Sequence, residues 1–367
     1  MQLDSIEIYR VSMPMKSFYK TAFAKVYAID SILVKLGSGK YYGWGESTPW
    51  GTPAFSSECT ATQFIISKDF IVPLIKGKNI SSGDELQKIL AGIKGNNFAK
   101  AAFDLAWWDL HAKMQEKSLW RVLKGQNQVV DGGAAFSAVE DIEKLLDLIA
   151  GAVENGYKRI KLKYCPGWEL DVIKAVRKKF PDPVIHIDCN SAYTLDDLDM
   201  FKELDHYNLA MIEQPLQEDD LLDHSKLQAQ IKTPVCLDES IISLDKTRKA
   251  IELKSCRWIN IKLGRVGGIT NTLKINDFCM KNGIPCWIGS MGESAVGASH
   301  NLAAATLANI KYPCDILPSD RFYAEDLSAP PMKHCAPSQF KASDSPGIGV
   351  EPRPDMLKKC TIEKAII

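Results

Sequence analysis

From about residue 130 onward, short apolar, β-branched runs alternate with segments whose apolar positions recur every three or four residues. The runs lie at 134–137, 160–164, 184–188, 209–213, 235–238, 258–262, 285–289 and 315–317 and predict eight strands. The segments between them predict helices over 140–155, 169–179, 195–204, 219–230, 244–253, 269–281 and 293–307. Nearly continuous apolar strands alternating with amphipathic helices specify parallel βαβ units, buried on both faces. Eight such strands in one series favour a closed barrel over an open doubly wound sheet. No Gly-x-Gly-x-x-Gly follows a first strand, which counts against a dinucleotide fold.

The chain before residue 130 has a different rhythm. Strands are predicted over 6–11, 31–36 and 41–46, with a polar-aromatic loop at 16–23 and a Gly/Pro loop at 47–57 that carries Trp50 and Phe55. Helical periodicity dominates 58–125, where Phe98, Ala101, Ala102, Leu105, Trp108 and Ala112 share a face. Trp107 and Trp108 are read as packing residues. The Pro-rich tail from about 320 is expected to return to this N-terminal α+β unit. The division expected is a capping unit, 1–128 plus 320–367, and a barrel, 129–319.

The barrel pattern gives the polar residues their meaning. From Lys163 it is 25 residues to Asp188, 25 more to Glu213, 25 more to Asp238 and 24 more to Lys262. Each ends a predicted strand. Lys161 and Lys163, spaced by two, point to one side of theirs. Neighbouring strand ends lie about 5 Å apart, so Asp188, Glu213 and Asp238 can converge on a hard cation such as Mg²⁺. Without one they would repel. The plainer alternative is that each carboxylate caps a helix or pairs with a surface lysine; the equal spacing argues for convergence. Lys161 and Lys163 from one side and Lys262 from the other would flank the metal. Ammonium groups so placed are expected to be pushed toward neutrality, as a general base requires. The chemistry implied is removal of a proton α to a carboxylate through an enediolate. A Schiff-base lysine and a catalytically silent scaffold are the rival readings.

Composition narrows the partners. Lys+Arg and Asp+Glu both total 45 in 367 residues, so no basic nucleic-acid surface is expected. No run of about 18 apolar residues suggests a membrane span, and residues 1–7 show no secretory leader. We expect a cytoplasmic homo-oligomer acting on a small-molecule carboxylate. The ten cysteines show no Cys-x-x-Cys pair and read as reduced, buried residues. Cys165 and Cys189, near strand ends, are the candidate thiol nucleophiles.

The sequence resembles the enolase superfamily, in its muconate-lactonizing-enzyme subgroup. The matching motifs are Lys161-Leu162-Lys163, Asp188-Cys189-Asn190, Glu213-Gln214-Pro215, Asp238-Glu239-Ser240 and Asn260-Ile261-Lys262. Further stretches, such as Gly264-Arg265-Val266-Gly267-Gly268 and Ser319-Asp320-Arg321-Phe322-Tyr323, look most like o-succinylbenzoate synthases and N-succinylamino acid racemases. The resemblance implies a modified TIM barrel of (β/α)7β type with an α+β capping domain. It implies that Asp188, Glu213 and Asp238 bind Mg²⁺, with Mn²⁺ as a substitute. Lys163 is then the acid/base on one face, with Lys161 beside it supporting the carboxylate, and Lys262 lies on the opposite face. Substrate or supporting roles fall to Ser137, Asn190, Glu239, Asn260, Arg265, Ser290 and Met291, and to Tyr19, Trp50 and Phe55 on loops that close over the site. The activity implied is the dehydration to o-succinylbenzoate in menaquinone synthesis, with N-acylamino acid racemisation as the alternative, which Arg265 favours. Ser290 replaces a more usual glycine, and Asp315-Ile316-Leu317 lacks the Asp-x-Asp typical of dipeptide epimerases.

Overall fold

A computed structural model of the chain describes residues 1–20, 25–137, 141–167 and 169–367. The N-terminal strands are β1 (Ser5–Lys20), β2 (Lys25–Ser38) and β3 (Tyr41–Ser47). β1 and β2 pair antiparallel from Ser5↔Gly37 to Pro14↔Ala28, and again at Tyr19↔Val26 and Lys20↔Lys25 after an irregularity. The expected loop at 16–23 is therefore strand up to Lys20. Pairing with a neighbouring arm, not local hydrophobicity, extends it. Residues 21–24, and the side chain of Tyr19 with them, lie outside the described part, so the expected closing role of 18–23 is left there.

Helix α1 (Asn97–Met114) packs against this sheet. Its approach depends on glycine. A Cβ on Gly43 would lie 2.2 Å from Leu110 N, and one on Gly45 would lie 2.1 Å from Ala102 O. Ile6, Ile8, Ile32, Val34 and Leu36 bury against Phe103, Trp107 and Leu110 in one apolar cluster. Phe98 and Leu105, on another face of α1, join the larger cluster that runs through the barrel. Trp107 is buried, and the Trp108 indole donates to Thr270 Oγ1 at 2.9 Å, so both are packing residues.

The barrel strands are β4 (Ala134–Phe136), β5 (Arg159–Lys163), β6 (Val184–Asp188), β7 (Ile212–Glu213), β8 (Val235–Leu237), β9 (Trp258–Ile261) and β10 (Cys286–Ile288). They form one parallel sheet in sequence order. The intervening helices are α2 (Ile142–Glu154), α3 (Glu169–Lys179), α4 (Leu198–Leu204), α5 (Leu221–Gln230), α6 (Leu244–Glu252), α7 (Ile269–Lys281) and α8 (Ala295–Ala305). The predicted start of α2 at Glu140 falls outside the described residues.

The expected eighth strand over 315–317 does not form. Instead Cys314 N donates to Asp131 O (2.9 Å) and accepts at its carbonyl from Gly133 N (3.0 Å), while Asp315 N donates to Ile288 O (2.9 Å). Two residues thus bridge the two ends of the seven-stranded sheet. Pro313 and Pro318 flank the segment and deny it further ladder donors.

The chain ends in β11 (Thr361–Ile366), which pairs with β1 at Glu7↔Ile366 through Arg10↔Glu363. The capping sheet is thus β11-β1-β2-β3. No helix among the described residues is long and apolar enough to cross a membrane.

Candidate active site

The strand register sets the site. Lys163 is the Cα partner of Asp188, and Asp188 is the partner of Glu213. Glu213 pairs with Cys236, which puts Asp238 two residues further out on the same side. The side chains converge. Lys161 Nζ lies 2.9 Å from Asp188 Oδ2 and 2.7 Å from Glu213 Oε2. Lys163 Nζ lies 2.7 Å from Asp188 Oδ2 and donates to Asn190 Oδ1 at 2.6 Å. Lys262 Nζ is 2.9 Å from Asp238 Oδ2. The three carboxylates are buried, and the three lysines, Asn190 and Asp315 line a cavity of ≈ 80 Å³.

The acidic side chains around the lysines set the electrostatics of the site. Burial favours the neutral amine of Lys161, but Asp188, Asp315, Glu213 and Asp238 overcome it and hold its pKa well above the ordinary lysine value. Lys161 is a fixed cation because the acids facing it outnumber the neighbouring ammonium groups. Burial likewise opposes ionisation of Asp188, yet Lys161 and Lys163 hold its carboxyl far below the usual range. Glu239 goes the other way. Burial, with Asp238 and Asp188 nearby, pushes it up to about 8, while Asn190 Nδ2 donates to its Oε1 at 2.9 Å.

A ring of buried polar groups supports the carboxylates from behind. Arg265 donates from Nη1 to Asp238 Oδ1, from Nη2 to Asn260 O (2.8 Å) and from Nε to Ile241 O (2.9 Å). It does not line the cavity. Asn260 Nδ2 donates to Glu213 Oε1 at 2.9 Å. His186 Nε2 lies 3.2 Å from Glu213 Oε2, and its Nδ1 lies 3.1 Å from the Tyr312 hydroxyl. Arg159 pairs with Asp315 at 2.6 Å, and Asp315 lies 3.4 Å from Lys161. The sequence reading missed Arg159 and His186. Each lies two residues before a predicted site residue, Lys161 or Asp188, so the two-residue strand period already placed them on the same face.

The capping unit and the last barrel loop cover the lysines. Phe55, Trp50, Ser290 and Met291 line the cavity, and Trp50 Nε1 donates to Met291 O at 3.0 Å. Ser290 spends its hydroxyl within its own loop, donating to Glu293 Oε2 (2.6 Å) and accepting from Gly292 N (3.0 Å). Before it, Gly289 has no room for a side chain, since a Cβ would lie 2.4 Å from Asn260 Oδ1 and 2.9 Å from Lys262 Cε. Ser137 does not line the cavity, whereas Ala135 does. Cys189 is fully buried, and burial beside Asp188 and Glu213 pushes its thiol well above the usual range, so it is no nucleophile. Cys165 does not line the cavity.

The donors suit a hard divalent ion: three all-oxygen carboxylates at adjacent strand ends. Asp238 Oδ2 is buried and makes no hydrogen bond, although Lys262 Nζ is 2.9 Å away. With Lys161 bridging Asp188 and Glu213, no three acidic, His or Cys side chains among the described residues stand in a coordinating cluster.

Comparison with known proteins agrees with this geometry. Residues 5–124 match the mandelate racemase / muconate lactonizing enzyme N-terminal domain, and residues 144–356 match the enolase C-terminal domain-like family. The chain is 40% identical over 350 residues to an o-succinylbenzoate synthase of Geobacillus stearothermophilus, covering 95% of this chain and 93% of that one. It is 35% identical over 368 residues to an N-succinylamino acid racemase of Amycolatopsis sp, covering 100% of both. The crystal structure of an enolase-superfamily member from Listeria innocua superposes with a TM-score of 0.96 at 36% identity, covering 100% of this chain and 99% of that one. Fold, register and relatives agree: the chain is an enzyme of the enolase superfamily, with the paired domains of its mandelate racemase / muconate lactonizing enzyme branch.

Proposed function

We propose that this enzyme removes a proton α to a carboxylate and that its principal reaction is the dehydration that yields o-succinylbenzoate. One observation carries the reading. Lys163 and Lys262 line the same cavity from β5 and β9, four places apart in the sheet order. With the bridging segment Cys314-Asp315 counted, that is half-way round the barrel. A carbon held between them meets an amine on each face.

Asp188, Glu213 and Asp238 are the groups that would hold Mg²⁺, and the ion's chemistry there is Lewis-acid polarisation of the substrate carboxylate. Lys161, kept cationic by its four acidic neighbours, stabilises negative charge that develops on the substrate. Lys163 takes the α-proton and returns a proton to the departing hydroxide, so that water leaves. Lys262 stays protonated and faces the anion from the other side. Phe55, whose ring centre is 4.6 Å from Lys262 Nζ, keeps water off that side. Behind the carboxylates, Arg265, Asn260 and His186 fix their orientation. In this reading 129–319 is the barrel unit, and 1–128 with 320–367 is the cap that closes it.

Racemisation of N-succinylamino acids is the second reading. It uses the same opposed lysines alternately as base and acid, and the Amycolatopsis relative at 35% identity supports it. Incubating the Mg²⁺-loaded enzyme with the dehydration substrate, and separately with N-succinylamino acids in D₂O, tests both. Formation of o-succinylbenzoate supports the first reading and α-deuterium incorporation the second. Neither product nor exchange would overturn the substrate assignment.

A further inference from the structure

Arg321 is a cation of the cavity wall that the proton-transfer chemistry does not use. It comes from the turn Ser319–Arg321, beyond the segment that closes the barrel. Lys161, Lys163 and Lys262 each rest against a carboxylate. Among the described residues Arg321 forms no ion pair, and its guanidinium makes one long hydrogen bond, from Nη2 to Ala135 O at 3.4 Å. Ala135 is the Cα partner of Lys161, which puts Arg321 above the β4–β5 side of the mouth.

Burial falls along this wall. Asp315 is buried against Lys161, Leu317 is half-buried, and Arg321 is exposed. The lining that holds the lysines and Arg321 also includes the apolar side chains of Met15, Leu317 and Phe322. The backbone amide of Lys16 donates to Phe322 O at 2.8 Å, tying this stretch to β1 of the cap. The cavity lining thus combines ammonium groups, apolar side chains and, on an exposed residue, a planar cationic fork. A molecule with one carboxylate at each end of a short methylene chain matches all three. An arginine fork binds carboxylate through two parallel hydrogen bonds, a geometry lysine cannot reproduce.

We propose that Arg321 binds the distal carboxylate of the substrate, so that the site selects succinyl-type dicarboxylates over analogues ending in a neutral group. This rests on the reading of the cavity as the substrate site given above. The test measures binding, apart from turnover. Calorimetric titration of the Mg²⁺-loaded enzyme with o-succinylbenzoate and with 2-butanoylbenzoate, which replaces the distal carboxylate by methyl, gives a preference ratio. The ratio should be about tenfold or more in the wild type. It should collapse toward one in Arg321→Met and recover in part in Arg321→Lys. A wild-type enzyme that binds both equally, or an Arg321→Met variant that keeps the wild-type ratio or loses both ligands equally, would overturn the assignment. If the ratio behaves as expected but no turnover occurs, the proposed reaction falls and the distal site stands. If the wild type binds neither compound, both fall.

Discussion

The Lys262 ammonium lies 4.6 Å from the centre of the Phe55 ring, so an aromatic side chain of the capping unit covers a lysine of the barrel. Trp50, 5.8 Å from Phe55 between ring centres, is itself anchored to the Met291 carbonyl. The loop at 47–57 is therefore fastened to the barrel at the lysine proposed to face the substrate anion. Phe55→Ala should lower kcat/KM between about twofold and thirtyfold, the range of a desolvated cation–π contact, while Phe55→Tyr retains most of it. Steady-state kinetics on the three proteins would check this; an unchanged kcat/KM in Phe55→Ala would remove the loop from the account.

Arg265 acts from behind the site. It is buried, and its three donor contacts go to Asp238, Asn260 O and Ile241 O. Arg265→Met leaves the buried Asp238 carboxylate with Lys262 as its remaining ion-pair partner and should cost up to about 3–5 kcal/mol of stability. Equilibrium denaturation measures that cost. The same variant should bind Mg²⁺ more weakly, about tenfold or more, as losses among supporting groups generally do.

Stability should fall as the pH rises through neutrality, owing to Glu46. This carboxyl of β3 is fully buried and accepts from Ser294 N (3.0 Å), Ser294 Oγ and Gly297 N (2.9 Å) at the start of α8. Burial pushes its pKa up to about 7 from an ordinary 4.5. A folded-state pKa above the unfolded value means that the folded protein holds the proton more tightly. Its contribution is fully present below pH 4.5 and is lost as pH rises through 7, an effect of the order of 3 kcal/mol. Asp104, raised to about 6 by burial at the start of α7, acts in the same direction. In thermal melts between pH 5 and 8, the wild type should lose stability more steeply than Glu46→Gln. Parallel curves would contradict this.

Much of the site was legible because strand register is a one-dimensional rule. Equal spacing of Lys163, Asp188 and Glu213 translates into Cα partners on neighbouring strands, while Asp238 falls two residues beyond Cys236, the partner of Glu213, and so on the same side. The helix over Ile269–Lys281 matches its apolar periodicity at both ends. What was not legible depends on contacts distant in sequence. The arms of β1 and β2 extend into polar sequence because each completes the other's ladder. Asp315 gains its partners from Arg159 and Lys161, more than 150 residues earlier. Arg321 sits in a turn with no periodicity to reveal which way it faces. Asp315 was not counted among the neighbours of Lys161, and with Asp188, Glu213 and Asp238 it holds that ammonium's pKa well above the ordinary lysine value.

Glu213 joins the proposed metal site to the polar ring behind it, contacting Lys161, His186 and Asn260. Glu213→Gln should weaken Mg²⁺ binding by more than about tenfold in calorimetric titration and abolish turnover, and EDTA should abolish turnover of the wild type. Full activity in EDTA would instead favour a lysine acting through a Schiff base, which borohydride trapping with substrate would reveal.

The central claim is that Lys163 and Lys262 address opposite faces of one α-carbon. The most direct measurement is α-deuterium incorporation from D₂O into each enantiomer of an N-succinylamino acid, followed by NMR for the wild type, Lys163→Ala and Lys262→Ala. With the lysines acting alternately, as in the racemisation reading, the account predicts exchange of both enantiomers by the wild type, and loss of exchange from one enantiomer in Lys163→Ala and from the other in Lys262→Ala. Exchange of both enantiomers surviving in either variant, or loss of the same enantiomer in both, would contradict it.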